Sequence, residues 1–269
     1  VTDRPSWAPR GVDITRANVS RIYDYFLGGS HNFEADREAA RSALHSMPGI
    51  PAIARANRAV MQRALRFATD RGITQFLDIG SGIPTFGNVH EVVQAARPGA
   101  RVVYVDNDPV AVAHSRAVLE GNPDATIVAA DLRDPQAVLA HPGTRLLDLS
   151  RPVALMLVAV VHFLRDTDRP ADIIAALRDA LAPGSVLVLT HATLDHGPAP
   201  AGQRAVQEVY ERTPTPLVMR GSAELRPFFA GFDLMEPGIV PLPLWRPDAP
   251  EEPYDRAELH GLAGVGVKP

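Results

Sequence analysis

Gln75-Phe-Leu-Asp-Ile-Gly-Ser-Gly-Ile-Pro-Thr85 is the stretch that decides the fold. Residues 75–79 form a short, nearly continuous apolar run of strand length, and Gly80 and Gly82 allow a tight turn and close backbone approach to a ligand. Working outwards, further apolar runs at 101–105, 126–130, 153–161 and 185–189 alternate with helical stretches near 88–96, 109–119, 135–140 and 168–181. Val/Ile/Leu runs of this length separated by helices predict a parallel sheet covered on both faces. Right-handed crossovers make that sheet doubly wound.

Before Thr74 no strand signal appears. Val19, Ile22, Tyr23, Phe26 and Leu27 follow a helical repeat that Gly28-Gly29 stops. A second helix is expected over 34–45, and a third, carrying Ile53, Val60, Met61, Leu65 and Ala68, ends at Gly72. After Thr190 the pattern loosens into helical pieces near 205–212 and 223–229 and candidate strands at 232–235 and 264–267. Residues 237–253 are Pro-rich and read as a surface loop or lid. The organisation expected is a helical cap at 1–73, a Rossmann-like core at 74–195, and helices and strands at 196–269 that complete the sheet.

Composition narrows the classes. The 269 residues carry 27 basic and 31 acidic side chains, a net charge of −4, and 46% hydrophobic content excludes wholesale disorder. With no cysteine, disulfides, a thiolate nucleophile and cysteine-ligated metals are excluded. No apolar run approaches the roughly 18 residues of a membrane span. The opening Val-Thr-Asp-Arg-Pro has no hydrophobic leader, so the cytoplasm is the expected location and no membrane partner is expected. Residues 1–75 are mildly basic and the rest mildly acidic, which suits a cap docking on a body better than a nucleic-acid surface. Lys268 is the lone lysine, and the preference for arginine reads as codon bias in a GC-rich genome.

In open α/β sheets, ligands bind beyond the carboxyl ends of the strands. Asp78 precedes the first glycine by two residues. The second strand ends in Val103-Tyr-Val-Asp-Asn-Asp108, where Asp106 can accept from both hydroxyls of a ribose and Asp108 caps the next helix. The third ends in Ala129-Ala-Asp-Leu132, where Asp131 can accept from an adenine amine with Leu132 against the ring. Acids at three successive tips make an adenosine site with no phosphate requirement. A dinucleotide fingerprint wants glycine at position 85, where Thr85 stands. Asn88 with Glu91 three residues later reads as a cap, and the helix it starts begins too late to meet a pyrophosphate. The run at 153–161 delivers His162 and Phe163 to the same edge. His162 is either a general base or a polar lining residue. His191, Asp195 and His196 cluster after the fifth strand, but their spacing matches no standard metal set.

These residues carry a resemblance. Asp78-x-Gly80-x-Gly82, Asp106 and Asp131 resemble the cofactor motifs of class I S-adenosylmethionine-dependent methyltransferases. Arg21-Ile-Tyr-Asp-Tyr-Phe-Leu-Gly-Gly-Ser30, Arg55-Ala-Asn-Arg58, Asp78-Ile-Gly-Ser-Gly-Ile-Pro-Thr85, Gly87-Asn-Val-His-Glu91, Tyr104-Val-Asp-Asn-Asp-Pro109 and Leu181-Ala-Pro-Gly184 are similar to an actinobacterial family. That family, first catalogued as a domain of unknown function, carries the label S-adenosyl methyltransferase. The resemblance implies a seven-stranded sheet with its last strand antiparallel. It also implies that the Gly80–Gly82 turn holds the methionyl end, Asp106 the ribose and Asp131 the adenine, with Asp78, Gly80, Ser81, Gly82, Asn107 and Leu132 among the cofactor-binding residues. Many class I enzymes have glycine where Pro84 stands, a departure shared by the narrower family.

The activity implied is methyl transfer from S-adenosylmethionine to a small-molecule acceptor, at oxygen or nitrogen, with S-adenosylhomocysteine as product. Ala159-Val-Val-His162 lacks the Asp/Asn-Pro-Pro motif of enzymes that methylate exocyclic base amines, so nucleic acid is not expected as acceptor. Tyr25, Asn32, Arg58, His162 and Phe163 are the candidates for the acceptor pocket, with Tyr23 assigned to the buried stripe and Arg58 to the methionyl carboxylate. A non-catalytic cofactor-binding module and a nicotinamide-dependent oxidoreductase are the competing readings.

Overall fold

A computed structural model describes residues 5–85, 87–195, 200–213, 215–249 and 253–269. Three helices, α1 (Val19–Phe26), α2 (Glu34–Ser46) and α3 (Ile50–Asp70), precede the alternating part of the chain. There follow β1 (Gln75–Ile79), α4 (Val89–Ala96), β2 (Arg101–Asp106), α5 (Pro109–Val118), β3 (Ala125–Ala129), α6 (Pro135–Ala140), β4 (Ala154–Val158), α7 (Pro170–Asp179) and β5 (Val186–Ala192). The C-terminal part adds α8 (Pro200–Glu211), α9 (Ser222–Leu225), β6 (Asp233–Leu234), β7 (Val240–Pro241) and β8 (Gly261–Val267).

The two-residue periodicity of the strands sorts their side chains into two cores. Phe76, Val102, Tyr104, Ala154, Met156, Val186 and Val188 face one side, where Val60, Met61, Ala64 and Leu65 of α3 cover them. Leu77, Val103, Val105, Leu155, Leu157 and Leu187 face the other, under Ile173, Ile174 and Leu177 of α7. Burial on both faces explains why these strands read as unbroken apolar runs.

The sheet order is β3-β2-β1-β4-β5-β8-β6, with β1 to β5 parallel and β8 antiparallel to β5. The short β7 also pairs with β8, at Ala263 and Leu262, while β6 pairs further along at Val267 and Gly266. Seven strands therefore lie on the main path, the antiparallel one is the last in sequence, and an eighth short piece shares the edge.

Four expectations are revised. The fourth strand stops at Val158, not 161, because Ala159 adopts a left-handed φ of 56° and turns the chain out of the sheet. The antiparallel strand starts at Gly261, three residues earlier than its Val-containing half suggested. The segment 1–73 divides, since α3 is a core helix of the sheet. α1 and α2 form a cap together with Ala54 of α3 and with Val206 and Tyr210 of α8. Finally, within 237–253 the described residues are anchored rather than lid-like. Trp245 and Leu242 are fully buried, and the Arg63 guanidinium donates to both their carbonyls at 2.9 Å.

Candidate active site

The parallel strands end along one edge of the sheet, and the cap roofs that edge. The cleft between them encloses about 990 Å³, its open mouth included. Asp78, Gly80, Ser81, Gly82, Asp106, Asn107, Asp131 and Leu132 all line it, together with Arg58 and Phe163. The first turn is built on steric need. Gly80 has φ +74°, and a Cβ there would lie 2.3 Å from Cγ2 of Val160, the residue that the left-handed Ala159 swings across the turn. Gly80→Ala is therefore expected to cost at least ~1–2 kcal/mol from its dihedral alone, read as a lowered unfolding midpoint, and to close the turn to ligand.

Asp106 is the structural centre of the cleft. Its carboxylate accepts from the Gly82 amide at 2.8 Å and from the Asp108 amide at 2.8 Å, so one side chain fixes both loops. Asn107 donates to Asp131 at 3.1 Å, and the Arg133 guanidinium and amide also bind that carboxylate. Those hydrogen bonds from Arg133 hold Asp131 down to about 2. Burial instead pushes Asp78 up to about 7, with Arg58 opposing and Asp106 reinforcing the shift. Burial likewise raises Asp106 to about 6 against its backbone donors. The Ser81 hydroxyl is buried with no hydrogen-bond partner among the described residues.

A raised acid favours the fold while protonated. The stability that Asp78 and Asp106 contribute is thus full at low pH and lost as pH rises through about 6 to 7. A cationic ligand prefers the ionised pair, so its affinity is expected to rise over the same window, by up to about tenfold per pH unit for each proton released. Titrations with S-adenosylmethionine between pH 5.5 and 8 check this, and a flat profile contradicts it.

α4 begins at Val89 behind an Asn88 cap, and Glu91 accepts from the Asn88 amide at 2.9 Å. The helix starts well beyond the Gly80–Gly82 turn, and neither Asn88 nor Glu91 lines the cleft, so its amide end is not offered to a pyrophosphate there.

A second chamber of about 810 Å³, its open mouth included, adjoins the cleft and shares Val19, Tyr23, Asn57, Ala159 and Phe163 with it. His162 lies in this chamber, not in the cleft. Its Nδ1 accepts from the Ala192 amide at 3.3 Å, which leaves the proton of the neutral ring on Nε2. Burial, with His191 and Arg220 nearby, holds its basicity well below the ordinary range. His191 donates through Nδ1 to the Ala192 carbonyl at 2.7 Å and faces Arg220 with Nε2 at 3.2 Å. Asp195 accepts from the Ser222 amide, and His196 lies outside the described residues. Among the described residues no three His, Cys, Asp or Glu side chains are grouped to hold a metal.

Two pocket candidates sit elsewhere. Tyr25 borders a separate surface groove with Arg55, and Asn32 is buried against Asp24 and the Gly29 carbonyl. The tyrosine on the site is Tyr23. It is half-buried, donates to the Ala54 carbonyl at 3.2 Å, and accepts from Asn57 at 3.0 Å. The helix packs Ile22 and Phe26 into the cap, so Tyr23 rides on the edge of that stripe and turns to the cleft. Thr190 and Tyr210 carried no signal in the sequence, and Asn57 only as part of the Arg55–Arg58 stretch; Thr190 donates to Asn57 at 2.6 Å across 133 residues of chain.

A sheet of this order, with a glycine turn on the first strand and acids at the first three tips, defines the Rossmann-like methyltransferase class. The particular family follows from comparison: residues 5–269 match the family described as S-adenosyl methyltransferase, and the chain belongs to it. A crystal structure of a "putative methyltransferase" from Thermobifida fusca is 42% identical, covers 98% of this chain and 99% of its own, and superposes with a TM-score of 0.91. That of a duf574 family protein from Streptomyces avermitilis is 40% identical, covers 96% and 99%, and gives 0.90. No curated protein matches the chain. Among the described residues no helix is long and apolar enough to cross a membrane.

Proposed function

We propose that the protein transfers a methyl group from S-adenosylmethionine to a small-molecule acceptor, at oxygen or nitrogen. The observation that carries this is the adjoining pair of cavities: a carboxylate-lined cleft beside a second chamber, with Val19, Tyr23, Asn57, Ala159 and Phe163 lining both. Asp78, Asp106 and Asp131 against Arg58 and Arg133 suit a ligand of net positive charge. Asp106 would take the ribose hydroxyls, Asp131 with Leu132 the adenine, the Gly80–Gly82 turn the methionyl end, and Arg58 its carboxylate. The unpartnered Ser81 hydroxyl and the glycine turn that a Cβ would fill both fit such a group.

When bound, S-adenosylmethionine supplies an electrophilic methyl group whose bond pair stays with sulfur as the acceptor's lone pair forms the new bond. The protein's task is then to align the acceptor and exclude water. Phe163 and Ala159 line both cavities and so stand where that alignment would take place.

A non-catalytic binding module needs no acceptor chamber, so the adjoining cavities favour transfer. A nicotinamide oxidoreductase is opposed by the late start of α4, whose amide end does not line the cleft. The test is incubation with S-adenosylmethionine labelled in its methyl group and a set of small phenols and amines. Label in an acceptor, with equal release of S-adenosylhomocysteine, supports the proposal. Cofactor binding without transfer to any of them favours the binding module.

A further inference from the structure

We propose that the second chamber is a binding site for an uncharged, mainly apolar molecule of ring size, oriented by the imidazole Nε2–H of His162 and the hydroxyl of Tyr210. As the place of the acceptor, the chamber rests on the methyl-transfer reading; as a neutral-ligand site it stands on its own walls.

Charge comes first. None of the described residues lining the chamber is Asp, Glu, Lys or Arg. Its walls are side chains such as Phe26, Met47, Ile53, Val206, Leu217 and Met219. Arg220 lies behind His191 and is itself buried. Its guanidinium contacts His191 Nε2, donates to the Leu164 carbonyl at 2.9 Å, and pairs with Asp166. A carboxylate, phosphate or ammonium entering the chamber would lose its water and meet no opposite charge, which burial penalises heavily.

The polar groups in the wall narrow the ligand further. Most are committed to the protein. The Tyr23 hydroxyl, Asn57 and Thr190 form one chain of hydrogen bonds, and Thr190 Oγ1 also accepts from the Ala159 amide at 2.8 Å. The Thr193 hydroxyl accepts from the Asp195 amide at 3.0 Å, and both ring nitrogens of His191 are engaged.

Two donors remain. His162 has Nδ1 committed to Ala192, so its Nε2–H is left to a guest. The Tyr210 ring lies beside Phe163, 5.8 Å between centroids, and its hydroxyl makes no hydrogen bond to a described residue. A guest that presents one hydrogen-bond-accepting atom to these two donors and apolar surface elsewhere matches the part of the wall they stand in. The same tautomer gives His162 the part of a donor that positions the guest, in place of a base.

Ligand-observed NMR on the protein, with and without saturating S-adenosylhomocysteine, tests this with three probes of one shape: 2-naphthol, 2-naphthoate and 2-naphthylmethylammonium. The neutral probe is expected to bind at least about tenfold more tightly than either charged one. Leu217→Trp, which fills the chamber from a loop, should abolish that binding, and Tyr210→Phe should weaken it about three- to tenfold. Equal or tighter binding of a charged probe, or naphthol binding unchanged in both variants, overturns the assignment. Direct titration with S-adenosylhomocysteine separates the two claims. Its failure alongside normal naphthol binding overturns the cofactor reading and leaves the chamber; the reverse pattern overturns the chamber alone.

Discussion

Replacing Arg21 by alanine is expected to cost about 3–5 kcal/mol at neutral pH, because it strands two buried carboxylates. Arg21 lies in α1 and is nearly inaccessible. Its Nε stands 3.5 Å from Asp36 of α2 and 3.8 Å from Asp108 in the loop after β2, and all three side chains are buried. The guanidinium also donates to the Arg16 carbonyl at 3.0 Å and lies over the Phe33 ring. Burial raises both Asp36 and Asp108 even with Arg21 present. Without it they would be driven further toward the neutral form. The sign is then fixed: the penalty is greatest where the carboxyls must ionise and shrinks as pH falls and they protonate. Urea unfolding of wild type and variant at pH 7.5 and 5.5 measures this. A loss below about 1 kcal/mol, or one independent of pH, contradicts the triad as the lock between cap and core.

The second large effect is functional. Asp106→Ala is expected to lower S-adenosylhomocysteine affinity at least about 100-fold, equivalent to ~2.7 kcal/mol. The variant loses the proposed ribose acceptor and, with it, the carboxylate that holds the Gly82 and Asp108 amides. Its stability should change far less than its affinity. Burial disfavours the Asp106 charge in the empty cleft, so deleting it relieves a desolvation penalty while orphaning two amides. Calorimetric titration paired with a urea midpoint separates the two quantities. A parallel loss of both would make Asp106 a structural residue only.

Much of this was legible locally. β1 and its glycine turn, the Asn88–Glu91 cap and the acids at the strand tips each lie within a few residues of the feature that defines them. What stayed hidden depends on distant partners. The end of β4 is set by Ala159, whose left-handed backbone is held by Thr190 and by Val160 lying across Gly80. Helical periodicity marks Tyr23 as buried without saying which neighbour buries it, and the answer lies in Asn57. The first half of β8, Gly261-Leu-Ala-Gly264, has little strand propensity and becomes a strand by pairing with β5 on one side and β7 on the other. The chamber gathers its walls from α1, α3, β5 and α8 and the loop after it, so no single stretch announces it.

The central claim is that the cleft holds S-adenosylmethionine. Calorimetric titration of the wild-type protein with S-adenosylmethionine, S-adenosylhomocysteine and NAD tests it most directly. The account predicts micromolar binding of both sulfur ligands, weak or no binding of NAD, and loss of both affinities in Asp106→Ala. Binding of NAD in preference to either sulfur ligand, or no binding of either by folded protein, would contradict it.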